Sequence, residues 1–176
     1  AHKPGNVSVV TDFENTRYEH FLASAVAAAS SFEFGAHQGV AVSQGKTKVA
    51  NVRVGNIIKN CVADIDSWQH GGNTLLGTVI LLCPMAVAAG VSSNDRGLTI
   101  TSLRNNLKII VESTTPEDAI NLYDAIEMAK PGGLGKAPDL DVMNPDSKRK
   151  IRDERITLYQ VFKIAEKYDS ICSEWV

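Results

Sequence analysis

"GGNTLLGTVILLCPMAVAAG", residues 71–90, decides the fold. Two glycines and two small polar residues open it, and an almost unbroken apolar run follows. Such a run suits a membrane span, a buried core helix, or a core helix whose polar first residues rim a binding site. The apolar part, Thr74 to Ala89, is only 16 residues long and contains Pro84. A spanning helix needs roughly 20 apolar residues, and no second span or basic flank accompanies this one. A helix apolar on every side must then be enclosed by protein. The stretch predicts a buried central helix over about 74–90, with its first four residues as the lip of a pocket.

The flanking sequence predicts helices on both sides. Phe21, Leu22, Ala25, Val26 and Ala29 fall at helical spacing, and the alanines permit close helix approach. That helix is expected from near Asn15 to near Gly35. Val54, Ile57, Ile58, Cys61, Val62 and Ile65 form an amphipathic stripe. Gly71-Gly72 stops the chain after it, Asn73 or Thr74 can cap the central helix, and Gly90 is read as its end. Leu103, Leu107, Ile110 and Val111 form another stripe. "TTPEDAINLYDAIEMAKPGG", residues 114–133, is the best-punctuated helix. Thr115 is its N-cap, Pro116 its first residue, Glu117 and Asp118 suit the positive end, and Lys130-Pro131-Gly132-Gly133 closes it. Leu158, Val161, Phe162 and Ala165 predict a last helix. "NVSVV", residues 6–10, is a weak strand signal with no hairpin partner. From Pro131 to Arg155 a long loop is expected, unusual enough in a compact domain to suggest function. The expectation is an all-α, multi-helix bundle in a single domain, 1–176.

Composition narrows the partners. The 176 residues are 44% hydrophobic and 22% charged, with a net charge of −2. A chain of this length can bury a core without disulfides or metals. The balance gives no support for a nucleic-acid partner. Cys61, Cys83 and Cys172 are far apart and odd in number, as in three reduced structural thiols of a cytoplasmic protein. The polar start Ala1-His2-Lys3-Pro4-Gly5 shows no secretory leader. The missing initiator Met suggests processing or a fragment.

Three segments are more polar and glycine-rich than bundle turns require: "HKPGNVS" (2–8), "HGGNT" (70–74) and "PGGLG" (131–135). In "HGGNT", glycines at a helix start allow close backbone approach to an anion, and Asn73 and Thr74 add hydrogen bonds. The same residues also read as a capped helix after a glycine turn. No Walker pattern is present. Lys3 in "KPGN" can neutralise a phosphate or sit on a plain surface turn. "PGGLG" can fold over a ligand or be a simple loop. His2, His20, His37 and His70 form no HxxxH or HExxH zinc pattern, and His20 reads as a partly buried structural residue. The pairs Asp64/Asp66 and Asp139/Asp141 are solvated charge or, in a loop, a Mg²⁺ site completed by water and phosphate. "SKRKIRDER", residues 147–155, reads as a solvated face of mixed charge.

Taken in order, "KPGNVS", Phe21-Leu22-Ala23-Ser24-Ala25, "GGNTLLGTVILLCPMA" and "TTPEDAINLYDAIEMAKPGGLG" resemble the triphosphoribosyl-dephospho-CoA synthase (CitG-type) family, in particular its archaeal branch. The resemblance covers most of the chain. It implies an all-helical enzyme that converts ATP and 3′-dephospho-CoA to 2′-(5″-triphosphoribosyl)-3′-dephospho-CoA and adenine. It assigns the nucleotide to Lys3, Gly5 and Asn6 and to Gly72, Asn73 and Thr74, with Gly132, Gly133 and Gly135 as weaker candidates. It makes Mg²⁺ an expected companion of the triphosphate, with Asp139 and Asp141 as candidate ligands; the catalytic base is unassigned. The family usually has a helix before the KPG motif and further helices after "DSICSEWV", so a piece of a longer family domain is expected. A different acceptor remains open, as does self-association. So does a non-catalytic helical module that binds a nucleotide or a protein.

Overall fold

The computed structural model describes residues 7–13, 15–93 and 97–176. Eight α-helices follow one another among them: α1 (Tyr18–Ser43), α2 (Val54–Trp68), α3 (Leu76–Ser92), α4 (Ile100–Glu112), α5 (Pro116–Ala129), α6 (Pro145–Asp153), α7 (Leu158–Ala165) and α8 (Ser170–Trp175). No strand occurs among the described residues, only isolated bridges between Ser8 and Thr11 and between Phe13 and Thr16. No described helix is long and apolar enough to cross a membrane. The architecture is the expected all-α bundle.

Helix α3 is its centre, packed against α1, α2, α4 and α8. Val79, Cys83, Val87 and Ala88 on it are fully enclosed. It is not enclosed on all sides, as its sequence suggested: Leu82 and Met85 are 38% and 37% exposed. Met85 and its neighbours Leu81 and Pro84 line an open groove with Leu107 and Val111 of α4 and Trp175 of α8. An apolar run thus overstates burial where a neighbouring helix is short.

Two helix boundaries differ from the sequence reading. α1 continues past Gly35 to Ser43, and α3 continues past Gly90 to Ser92. Where these helices cross, Gly39 and Gly90 let them touch. A Cβ on Gly39 would lie 2.0 Å from the Val87 carbonyl oxygen, and one on Gly90 would lie 2.0 Å from that of Ala36. Backbone meets backbone there, which any side chain would prevent.

α2 and α5 form a second close pair. The buried Asp118 carboxylate accepts from Gly55 N–H at 2.8 Å and from Thr115 N–H and Oγ1–H, both at 2.7 Å. One side chain therefore caps its own helix and anchors the start of α2, with Pro116 as the first residue of α5, as punctuated in the sequence.

Residues 131–155 are not one structureless loop. Helix α6 lies within them, begun by Asn144, whose Oδ1 accepts from Asp146 N–H at 3.0 Å. Its Ile151 is fully buried, and Ser147 Oγ–H donates to the Asp141 carbonyl at 2.7 Å. A single apolar residue gives no stripe, so the helix is invisible to periodicity. Helices α7 and α8 close this end, where the Phe162 and Trp175 rings meet edge-on with centroids 4.5 Å apart.

Candidate functional site

The segment between α2 and α3 is tied down by buried and half-buried polar side chains. Gln69 is 6% exposed and works in both directions: its Oε1 accepts from Gly71 N–H at 2.6 Å, and its Nε2–H donates to the Gly72 carbonyl at 3.0 Å. Thr16 Oγ1–H donates to the Gly71 carbonyl at 2.6 Å. Gly71 lies on the His20 imidazole, so a Cβ there would fall 1.9 Å from Nδ1. Nδ1 also accepts from Arg17 N–H at 3.1 Å, which makes His20 a structural residue at the start of α1. Gly72 follows with φ +76°, a left-handed turn that suits glycine.

Asn73 and Thr74 carry the turn into α3. Asn73 Oδ1 accepts from the N–H of Leu76, the first residue of α3, at 3.1 Å, while the N-cap position falls on Leu75 and not on Asn73 or Thr74. Thr74 Oγ1 lies 2.7 Å from Ser24 Oγ, whose own hydrogen points to the His20 carbonyl at 2.7 Å. Thr74 is therefore the donor of that pair. The exposed Asn73 carboxamide keeps its N–H₂ donors for solvent or a ligand.

These residues rim a cleft of about 400 Å³. Gly72, Asn73 and Thr74 form one wall, Asp66 and His70 from the end of α2 another, and Lys130 past the end of α5 a third. Val62, Ile65, Leu76 and Met128 make an apolar floor. Such a size and balance suit a small ligand. Asp64, two residues before Asp66, points elsewhere, toward Ser31 Oγ at 3.4 Å.

The other candidates lie apart from this cleft. Lys3, Gly5 and Asn6 fall outside the described residues. Gly132 is exposed, and Gly133 and Gly135 line a separate cavity of about 520 Å³ with Tyr123, Leu140 and Tyr168. Tyr123 is buried, which pushes its phenol well up, and its O–H donates to the Leu140 carbonyl. Asp139 receives Lys150 Nζ on both oxygens, at 2.9 and 3.0 Å, and Leu140 N–H at 2.8 Å. The Lys150 bond, with that of Leu140, holds its carboxyl below the usual range. Asp141 accepts from Ala137 N–H at 3.0 Å and from Met143 N–H at 2.8 Å. Among the described residues no three carboxylates, imidazoles or thiols gather into a metal-binding group. All three cysteines are free and buried.

Asp66, His70 and Lys130 were not singled out as site residues by the sequence. His70 stands inside the candidate segment "HGGNT" and is weighed there only as one of four histidines without a zinc pattern, while Lys130 opens "KPGG" and reads as the close of a helix. Asp66 stood only as half of an acidic pair.

Fold and site together define an all-helical protein with a polar, glycine-lipped cleft at the N-terminal end of its central helix. The chain matches the CitG family, ATP:dephospho-CoA triphosphoribosyl transferase, over residues 1–176, and it belongs to that family. Among solved structures it is similar to a protein of Archaeoglobus fulgidus assigned as a triphosphoribosyl-dephospho-CoA synthase, with a TM-score of 0.62 and 20% identity. The likeness covers 91% of this chain and 57% of that one, so the chain spans little more than half of that protein's length. Comparison with curated proteins returned no match.

Proposed function

We propose that the protein transfers a triphosphoribosyl group from ATP to 3′-dephospho-CoA, and that ATP binds in the cleft between Asp66, Asn73 and Lys130. The observation that carries the proposal is the convergence of Gly72, Asn73 and Thr74 with a carboxylate, an imidazole and a cation in one cleft of a chain from this family.

In the reaction, the acceptor's 2′-hydroxyl oxygen attacks C1′ of the ATP ribose. The C1′–N9 bond breaks, and adenine leaves with the electron pair and gains a proton. The acceptor hydroxyl loses its proton, and the triphosphate stays on the ribose. Positive charge develops on the ribose as the bond breaks, and a carboxylate close by stabilises it. Asp66 is assigned that role. His70 is assigned as the base that takes the hydroxyl proton. Asn73 and the amino end of α3 hold phosphate oxygens through N–H donors.

Mg²⁺ accompanies triphosphate as part of the substrate, and it binds through phosphates with few protein carboxylates. Asp139 and Asp141 do not fit a resident metal site. Their oxygens already accept from Lys150 and from backbone N–H groups, and the Lys150 cation repels a second positive charge.

Adenine release from ATP, followed by chromatography with dephospho-CoA as acceptor, tests the proposal. The expected result is adenine and triphosphoribosylated product in equal amounts. Asp66→Asn should lower kcat by about 100-fold or more. A folded protein that binds ATP and releases no adenine points instead to a nucleotide-binding module. One that binds no ATP removes the cleft assignment as well.

A further inference from the structure

We infer that Lys130 is a polyphosphate-binding residue of the Asp66–Asn73 cleft, and that its backbone is held in a left-handed conformation to place the ammonium group there. This rests on the reading that the cleft takes ATP and specifies how its phosphates are recognised. Helix α5 ends at Ala129, and Lys130 follows with φ 44° and ψ 55°, its N–H donating to the Ile126 carbonyl at 3.0 Å. This is the position at which helices favour glycine, because a Cβ is disfavoured there. Pro131 comes next, and the residue before a proline is pushed toward extended backbone. Lys130 thus occupies a conformation opposed by its own side chain and by its neighbour.

Nothing local demands a lysine there. Glycines stand two and three residues further on, at 132 and 133, and would cap α5 with less strain had the chain ended one turn later. The side chain is exposed and forms no ion pair among the described residues. It lines the same cleft as Gly72, Asn73 and Thr74. Strained positions that persist without a packing reason collect at ligand sites. A mobile ammonium with three donors suits phosphate oxygens as a point charge. The rival structural role is that of a cation near a helix carboxyl end, where it favours the helix dipole.

Substitution at the same backbone position separates the two. Lys130→Gly relieves the strain and removes the charge, while Lys130→Arg keeps the charge. Calorimetry of the intact protein is run with ATP, with inorganic tripolyphosphate and with adenosine. For Lys130→Gly the expected result is affinity for ATP and tripolyphosphate lowered roughly tenfold or more. Adenosine binding should be unaltered, and Tm equal or higher. Lys130→Arg should restore most of the lost affinity. Unchanged tripolyphosphate binding in Lys130→Gly, when the unsubstituted protein binds it, overturns the inference and leaves the cleft reading standing; a lowered Tm with unchanged affinity would assign Lys130 to the helix dipole. If the unsubstituted protein binds neither ATP nor tripolyphosphate, the cleft reading falls and this inference falls with it.

Discussion

Two glycine-rich segments, 69–74 and 131–144, end helices of similar length, yet charge helps to fix only the second. The first is held by neutral hydrogen bonds from buried and half-buried side chains: Gln69 to Gly71 and Gly72, Thr16 to Gly71, and Thr74 to Ser24. The second also has buried neutral bonds, Tyr123 O–H to the Leu140 carbonyl and Ser147 Oγ–H to the Asp141 carbonyl, but the helix that follows it is held by charge. Lys148 of α6 reaches Asp124 and Glu127, both at 2.7 Å, so α6 is clamped to α5, and Lys59 of α2 reaches the same Asp124 at 2.6 Å. Buried neutral bonds are insensitive to salt, while partly exposed ion pairs are screened by it. A segment that must keep one shape around a ligand is better served by the first kind. The difference favours 69–74 as the preformed wall of the site and 131–144 as a surface connection.

The sharpest way to break this contrast is Gln69→Ala. It leaves the buried Gly71 N–H without its partner and removes a part-buried bond to the Gly72 carbonyl. The first loss costs about 1–3 kcal/mol and the second about 1 kcal/mol, so a destabilisation of about 2–4 kcal/mol is expected. Denaturant midpoints measure it, and ATP affinity should fall in parallel. A change under about 0.5 kcal/mol would mean that Gln69 does not hold the segment.

Gly71→Ala comes second. The new methyl group would require the His20 ring to move and to give up the Arg17 N–H, because the ideal Cβ falls 1.9 Å from Nδ1. Overpacking of this kind costs about 1–3 kcal/mol. The double substitution with His20→Ala should recover most of the loss, which thermal melts can show.

These two residues also mark how far the sequence could be read. The stripe from Val54 to Ile65 and the Thr115-Pro116 start of α5 were legible because period and capping are local signals. The α1–α3 crossing was not, because Gly90 looks like a stop, and Gly39 carries no signal at all, until the facing backbone is known. Helix α6 was missed because Ile151 alone among its residues is an apolar residue facing the core. In the site, Gly72 to Thr74 were visible as a motif, while Asp66 and Lys130 join them only through the packing of α2 against α5. No local window contains all three walls.

Asp124→Asn sharpens the other side of the contrast and carries a pH signature. Burial would raise the Asp124 carboxyl, but hydrogen bonds from Lys148 and Lys59 and their charges more than offset that, and its value is lowered overall from 3.8. A carboxylate lowered on folding contributes stability that is complete above its unfolded value and is lost as pH falls through its folded value. Asp124→Asn should therefore cost about 1 kcal/mol near neutral pH. The gap to the unsubstituted protein should close below about pH 4 and shrink in high salt. Gln69→Ala should show neither dependence. A gap for Asp124→Asn that is constant with pH would remove charge as the force that holds α6.

The smallest expected effect tests whether the two segments act together after all. Gly135 has no heavy atom within 4 Å of an added Cβ, and its φ is not in the left-handed range. Gly135→Ala should therefore change stability by less than about 0.5 kcal/mol. If 131–144 is only a connection, ATP affinity and kcat should also be unaltered, since Gly135 lines the cavity beside Tyr123 and not the cleft beside Asn73. A fall in kcat or in affinity for dephospho-CoA at unchanged Tm would show that this segment reaches a substrate during turnover. The division between a preformed wall and a passive loop would then give way to one site whose second half closes only when the acceptor is bound.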